Sequence, residues 1–269
     1  MTATTATPPT FTDEQSGRST FVRDALTVFR RAMRISLRNP VWAVMGLLQP
    51  VLYLSLFGPL LEPLAPSLGA TNAYQLFVPG LLVQLGMFGA LFVGFGLIGE
   101  WRDGVIEAER VSPAPRSALV VGRVLRDVIV VAVQGVVLVS VAFLFGLEAP
   151  FWGIVLGIVT AALLAAAFAS ASYAVALTLK SEDALAPLMN GVALPLLLLS
   201  GILLPMTFAP DWLEFLSSIN PLTHAVDAAR ALFNGDYGNP DIALGVAICS
   251  VLAVFAVWVG SRAFSRSVA

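Results

Sequence analysis

The chain contains one cysteine, one histidine and few charged residues, and each shortage removes a class of function. Cys249 is alone, so neither an internal disulfide nor a cysteine cluster for a metal can form. Set in an apolar run, it reads as a small buried hydrophobe. His224 is the one histidine. No H-E-x-x-H occurs, and a Ser–His hydrolase site or a histidine metal site lacks its parts. A phosphate-binding loop is also missing. The nearest approach to its end is Lys180-Ser181, and the preceding residues, AVALTL, hold no glycine to let backbone N–H groups cradle a phosphate. The chain therefore cannot hydrolyse ATP by that route. No acid or base sits at the centre of a long apolar run, where burial costs roughly 2.5–3.5 kcal/mol and where ion-coupled carriers keep such groups. A net charge of −2 gives no footing for nucleic acid as a partner. No repeat of 20–50 residues is found.

What is abundant is apolar. Hydrophobic residues make up 58% of the chain, against roughly 45–50% in a soluble domain. They come in blocks of about twenty, the length that crosses the hydrocarbon of a bilayer as a helix. The expectation is an all-α integral membrane protein with six spans: Val41–Leu60, Leu76–Gly99, Val124–Leu147, Phe151–Leu179, Leu185–Pro205 and Ile242–Ala263. Residues 1–19 are rich in Thr, Ala and Pro and read as a disordered tail; they do not read as a secretory signal. Residues 20–269 read as one membrane domain.

Lys and Arg set the orientation. With the N-terminus in the cytoplasm, fourteen of the fifteen basic residues fall inside, and Arg230 alone falls outside beside seven acids. Both termini are thus expected in the cytoplasm. From Thr20 to Arg38, the apolar residues Val22, Leu26, Phe29 and Met33 share one helical face flanked by arginines. This pattern predicts a helix lying in the inner headgroup layer, the alternative being a solvated basic helix. Small residues recur every four positions at Gly153, Gly157, Ala161, Ala165 and Ala169, and again at Gly86, Ala90 and Gly94. Such stripes let helices approach closely; the expectation is packing inside one subunit, the alternative a subunit interface. Ala209–Phe233 is too polar to span. Its apolar spacing predicts two short external helices, interfacial or re-entrant, with His224 as a surface or capping group.

Two segments carry a family resemblance. G-V-I-E-A-E-R-V-S-P-A-P-R, Gly104 to Arg116, followed by Gly122-Arg123, resembles the cytoplasmic signature of the ABC transporter type 2 permeases. Gly104, Glu107, Ser112, Pro113, Arg116 and Gly122 match that pattern. Val105 stands where Thr is usual and Glu109 where Leu is usual. In Leu199–Arg230, Ser200, Gly201, Pro205, Trp212, Asn220, Pro221, Leu222, Thr223 and Arg230 match the family's S-G…P…W-L…N-P-L-T…R segment. Within that family the chain resembles the daunorubicin-resistance-like exporters. The importer signature E-A-A-x-x-x-G is missing.

The resemblance implies a permease without a nucleotide site, paired with a second permease subunit as a homo- or heterodimer. It implies two copies of a separate ATPase subunit, which hold ATP and magnesium. It implies the plasma membrane of a bacterial cell and export of a hydrophobic or amphipathic substrate, a drug, antibiotic or lipid; a polysaccharide or lipid-linked saccharide is the alternative. Glu100, Asp103, Gly104, Glu107, Arg110, Pro113, Arg116, Gly122 and Arg123 would form the ATPase-coupling segment, whose charged side chains suit charge-assisted contacts. The bland reading of that stretch is a solvated loop. A substrate path would run along the first, second and fifth spans past Gln49, Tyr53, Gln84, Phe88, Phe92 and Asn190. Rings there supply area and amides orient a ligand, unless the amides only bond neighbouring helices. A channel or scaffold needing no ATPase is the reading from another class.

Overall fold

The computed structural model describes residues 17–63, 72–110, 114–202, 206 and 209–267, and no strand occurs among them. Eleven helices follow in order: α1 (Gly17–Arg38), α2 (Val41–Leu61), α3 (Ala73–Leu91), α4 (Gly94–Arg102), α5 (Val105–Arg110), α6 (Arg116–Leu144), α7 (Phe151–Leu179), α8 (Glu182–Leu199), α9 (Asp211–Ile219), α10 (Pro221–Phe233) and α11 (Pro240–Ser267). Six helical stretches among the described residues are long and apolar enough to cross a membrane: α2, α3 with α4, α6, α7, α8 and α11. The expected tail lies outside the described residues up to position 16, and α1 begins at Gly17, inside the predicted tail.

Helix α7 is the spine. It packs on α3, α6, α10 and α11, while α2 leans on α3 and α6. The small-residue stripes explain that closeness. A Cβ added at Gly86 would sit 2.5 Å from the Ala161 carbonyl oxygen, and one at Gly153 only 2.0 Å from that of Leu232. Backbones touch where side chains would have held them apart. Both stripes therefore serve packing within the subunit, as their spacing predicts.

The second span departs from its expected continuous helix. The Ser172 hydroxyl of α7 enters its ladder, donating to the Leu91 carbonyl at 2.6 Å and accepting the Gly94 N–H at 3.0 Å. Such an inserted side chain is a standard cause of a helix break, and α3 ends at Leu91. The third span starts at Arg116, eight residues ahead of the predicted Val124, so its first turns lie outside the apolar run. The fifth ends at Leu199 and not at Pro205: the Ser200 hydroxyl turns back onto the Leu197 carbonyl, and Gly201 leaves the helix at φ +71°.

The bundle has two distinct ends. One gathers α1, α4, α5, the start of α6, the α7–α8 turn and the end of α11, with nearly all the basic residues; we call it the basic end. At the other, Asn72 donates to Gly146 O (2.7 Å) and Gln75 to Glu148 O, tying the entry of α3 to the α6–α7 turn.

Candidate functional site

At the basic end the polar stretch from Glu100 to Asp127 folds back on itself. Helix α4 carries Glu100, Gly104 (φ +72°) turns the chain, and α5 brings Glu109 beside it. Both carboxylates converge on Arg123 of α6. Its Nη2 donates to Glu100 Oε2 at 2.6 Å and to both Glu109 oxygens at 3.0 Å, while Nη1 donates to the Leu119 carbonyl. The Arg123 side chain is 6% exposed and its carbon lies 5.9 Å from the Phe264 ring of α11. A buried guanidinium with two carboxylates is satisfied on each side. Arg31 of α1 reaches the same Glu109 at 3.5 Å. One residue earlier, Gly122 makes room for α1: a Cβ there would lie 2.5 Å from the Ala25 carbonyl oxygen and 2.8 Å from Val28. The Gly122-Arg123 pair therefore seats three helices, α1 through the glycine and α4 and α5 through the arginine.

A second buried cluster continues inward by one turn. Tyr173 of α7 donates to Asp127 Oδ2 and accepts from Arg126 Nη2 (3.1 Å), and Arg126 Nε lies 2.8 Å from Asp127 Oδ1. The helix start at Arg116 places these charges in the basic-end half of α6. On the other flank, Lys180 sits 5.2 Å over the Trp101 ring and Arg102 pairs with Glu182 at 2.9 Å, tying α4 to the α7–α8 turn.

The predicted coupling residues thus divide by environment. Glu100, Gly122 and Arg123 act inside the protein. Asp103 and Glu107 are exposed at the α4–α5 turn, and Arg116 keeps one buried guanidinium nitrogen without a partner among the described residues. Pro113 and the Arg110 side chain lie outside the described residues. Sequence reasoning missed Arg31, Arg126, Asp127 and Tyr173 as partners. One signal was there: Glu109 departs from the family pattern, and it is the residue that takes Arg123 and Arg31.

The opposite end holds the second motif. Asn220 caps α10, accepting the Leu222 N–H and donating to the Leu196 carbonyl at 2.8 Å. Thr223 donates to Leu199 O (3.1 Å), and Arg230 donates to Gly201 O (2.7 Å) and Leu76 O (3.4 Å). Asn220 and Thr223 thus satisfy carbonyls that the C-terminus of α8 leaves open, and Arg230 bridges Gly201, just past that end, to Leu76 of α3. Burial lowers the Arg230 pKa to about 10, and the nearby Asp227 carboxylate opposes that fall. Both predicted external helices form. Helix α10 is buried along Leu222, Val226, Ala229 and Phe233 against α3, α7 and α11, whereas α9 leaves Trp212, Phe215 and Ile219 exposed. His224 bonds the Ser218 carbonyl at 3.0 Å, a capping contact.

The residues expected along a substrate path are split. On α2, Gln49 donates to the Tyr53 hydroxyl at 3.2 Å, and Tyr53 meets Phe57 edge-on. On the second span, Phe88 and Phe92 are half-buried with centroids 6.3 Å apart, and Phe92 stacks on Phe95. Asn190 is exposed on α8 and bonds its own helix at Ala186 O. Gln84 lies apart from them: it is 1% exposed, and neither end of its amide has a partner among the described residues. A group of three or more His, Cys, Asp or Glu able to hold a metal ion does not occur among the described residues.

The chain is similar to a daunorubicin resistance ABC transporter permease protein, DrrB1, of Streptomyces coeruleorubidus, 29% identical over 249 residues, which are 90% of this chain and 87% of that one. It is also similar to the putative transport permease ycf38 of Cyanophora paradoxa, 28% identical over 80% of this chain and 75% of its relative, and to that of Pyropia yezoensis at 26%. Residues 23–234 match the ABC-2 type transporter family, a stretch running from α1 through both motifs to the end of α10. The chain belongs to the ABC-2 type transporter family of membrane permeases.

Proposed function

We propose that this permease is the membrane subunit of an ATP-driven exporter in a bacterial plasma membrane, with its basic end and both termini in the cytoplasm. A separate ATPase, two copies per transporter, would bind ATP and magnesium and dock on the α4–α5 turn. A second permease subunit completes the assembly, and a hydrophobic or amphipathic drug, antibiotic or lipid leaves between the subunits along α2, α3 and α8.

The observation that carries this reading is the division of charge at the α4–α5 turn. Glu100 and Glu109 are clamped onto Arg123, while Asp103 and Glu107 remain exposed a few residues away. A surface held on one side by buried ion pairs and presenting carboxylates on the other can take a push without deforming locally. The family membership and the similarity to a daunorubicin resistance permease support the same reading. The arginine asymmetry supports the sidedness.

The test is a purification with and without the ATPase. Alone, the permease should turn over no ATP. Co-expressed, it should retain the ATPase, and Glu107→Ala or Pro113→Leu should weaken that retention or uncouple hydrolysis from transport while insertion stays normal. Intrinsic ATP turnover, or full coupling in both variants, contradicts the proposal.

A further inference from the structure

Helix α1 has three faces, and only one is used inside the protein. With about 100° per residue, Phe21, Ala25, Val28 and Ala32 fall together; Ala25 and Val28 meet Gly122 on α6. Next round the helix come Val22, Leu26 and Leu37, which are exposed, with Phe29 and Met33 half-buried. Beyond that stripe stand Arg23, Arg30, Arg34 and Arg38 in one arc, all exposed. Arg31, at the edge of that arc beside Arg38, differs in its partner, since it pairs with Glu109 at 3.5 Å. The single acid of the helix, Asp24, lies 4.0 Å from Arg23. Trp42, in the first turn of α2 and four residues past Arg38, is 80% exposed, the placement of an interfacial anchor.

We infer that the Arg23–Arg30–Arg34–Arg38 edge of α1 is a binding surface for the headgroups of anionic phospholipids. The neighbouring apolar stripe faces the acyl region beneath those headgroups. An apolar stripe and a row of cations side by side on the faces of α1 turned away from α6 fit an interface that is oily below and anionic above. Arginine is suited to the task because its fork meets phosphate oxygens two at a time. The inference does not need the exporter reading: it holds for whichever membrane face carries the basic end.

The full permease in mixed micelles, offered equal amounts of dioleoyl phosphatidylglycerol and dioleoyl phosphatidylcholine, tests it by native mass spectrometry of retained lipid. Phosphatidylglycerol should be preferred at least ten-fold, and the preference should shrink with added salt. Arg30→Gln and Arg34→Gln should each lower it by about five-fold, the effect of one basic residue near an anionic surface. Arg31→Gln, which removes a basic residue already bound to Glu109, should leave it within two-fold. Combining all four exposed substitutions should abolish the preference; should that variant not fold, the Arg34→Gln and Arg31→Gln comparison stands alone. Millimolar inorganic phosphate should not displace the lipid. Equal retention of both lipids, displacement by free phosphate, or equal effects at Arg31 and Arg34 overturns the inference. So does a variant that keeps its lipid preference but no longer retains the ATPase, which would assign the arginines to a protein partner.

Discussion

Replacing Arg123 by Met asks whether the ion pairs at the basic end hold the fold together. Arg123 is 6% exposed, Glu109 10% and Glu100 32% at the side chain. Removing one partner of a buried pair costs about 3–5 kcal/mol, because the abandoned charge keeps its desolvation penalty. Two features pull this case to the low end. Glu100 is one-third exposed and regains water, and Glu109 retains Arg31 at 3.5 Å. The expected loss is about 3 kcal/mol. Arg123→Lys should cost less, about 1–2 kcal/mol, since a point charge cannot serve both carboxylates from one planar fork. Reversible unfolding in mixed micelles of rising SDS fraction, followed by tryptophan fluorescence, gives both numbers. Adding Glu109→Gln to Arg123→Met removes the stranded charge, so the double variant should be more stable than the sum of singles by about 1–2 kcal/mol. An Arg123→Met loss under about 0.5 kcal/mol, the size of an ordinary surface substitution, or strict additivity with Glu109→Gln, would refute the assignment.

Three further outcomes are expected. Gly86→Ala and Gly153→Ala force a methyl against carbonyl oxygens of neighbouring helices and should each cost about 1–3 kcal/mol in the same unfolding assay. Gly96→Ala, with nothing within 4 Å of its added carbon, should be neutral or stabilising. Cysteines placed at Asp13, Arg116 and Ser265 should react only from the cytoplasm and one at Asp236 only from outside; labelling of Asp236 from the cytoplasm defeats the proposed sidedness. Tyr53→Ala, Phe88→Ala and Phe92→Ala should change substrate stimulation of ATP hydrolysis in the assembled transporter, and unchanged stimulation in all three places the substrate route elsewhere.

Helix positions were legible because a bilayer imposes length and composition on any span, and α2 and α7 begin where their apolar runs begin. Ends set by tertiary contact were not. The break after Leu91 depends on a hydroxyl eighty-one positions away, and no local pattern announces that Ser172 will enter another helix. Charge was legible as a side of the membrane but not as a set of partners. Arg123 could be assigned to a docking surface from its motif, yet burial decides its role, and burial depends on α4 and α5 folding back over α6. The second motif was visible as Asn220, Thr223 and Arg230; that all three grip carbonyls at or near the end of α8 is a fact of geometry. Gln84 shows the limit at single residues: spacing sets it on the second span with Phe88, but depth leaves it 1% exposed.

The central claim is that an ATPase drives this permease through the exposed side of the α4–α5 turn. A photo-crosslinking residue at Glu107, with another at Asp236 at the opposite end, tests it in cells that co-express the ATPase. ATPase adducts are expected from Glu107 and none from Asp236. Adducts from Asp236, or none from Glu107 while the two proteins still co-purify, would contradict it.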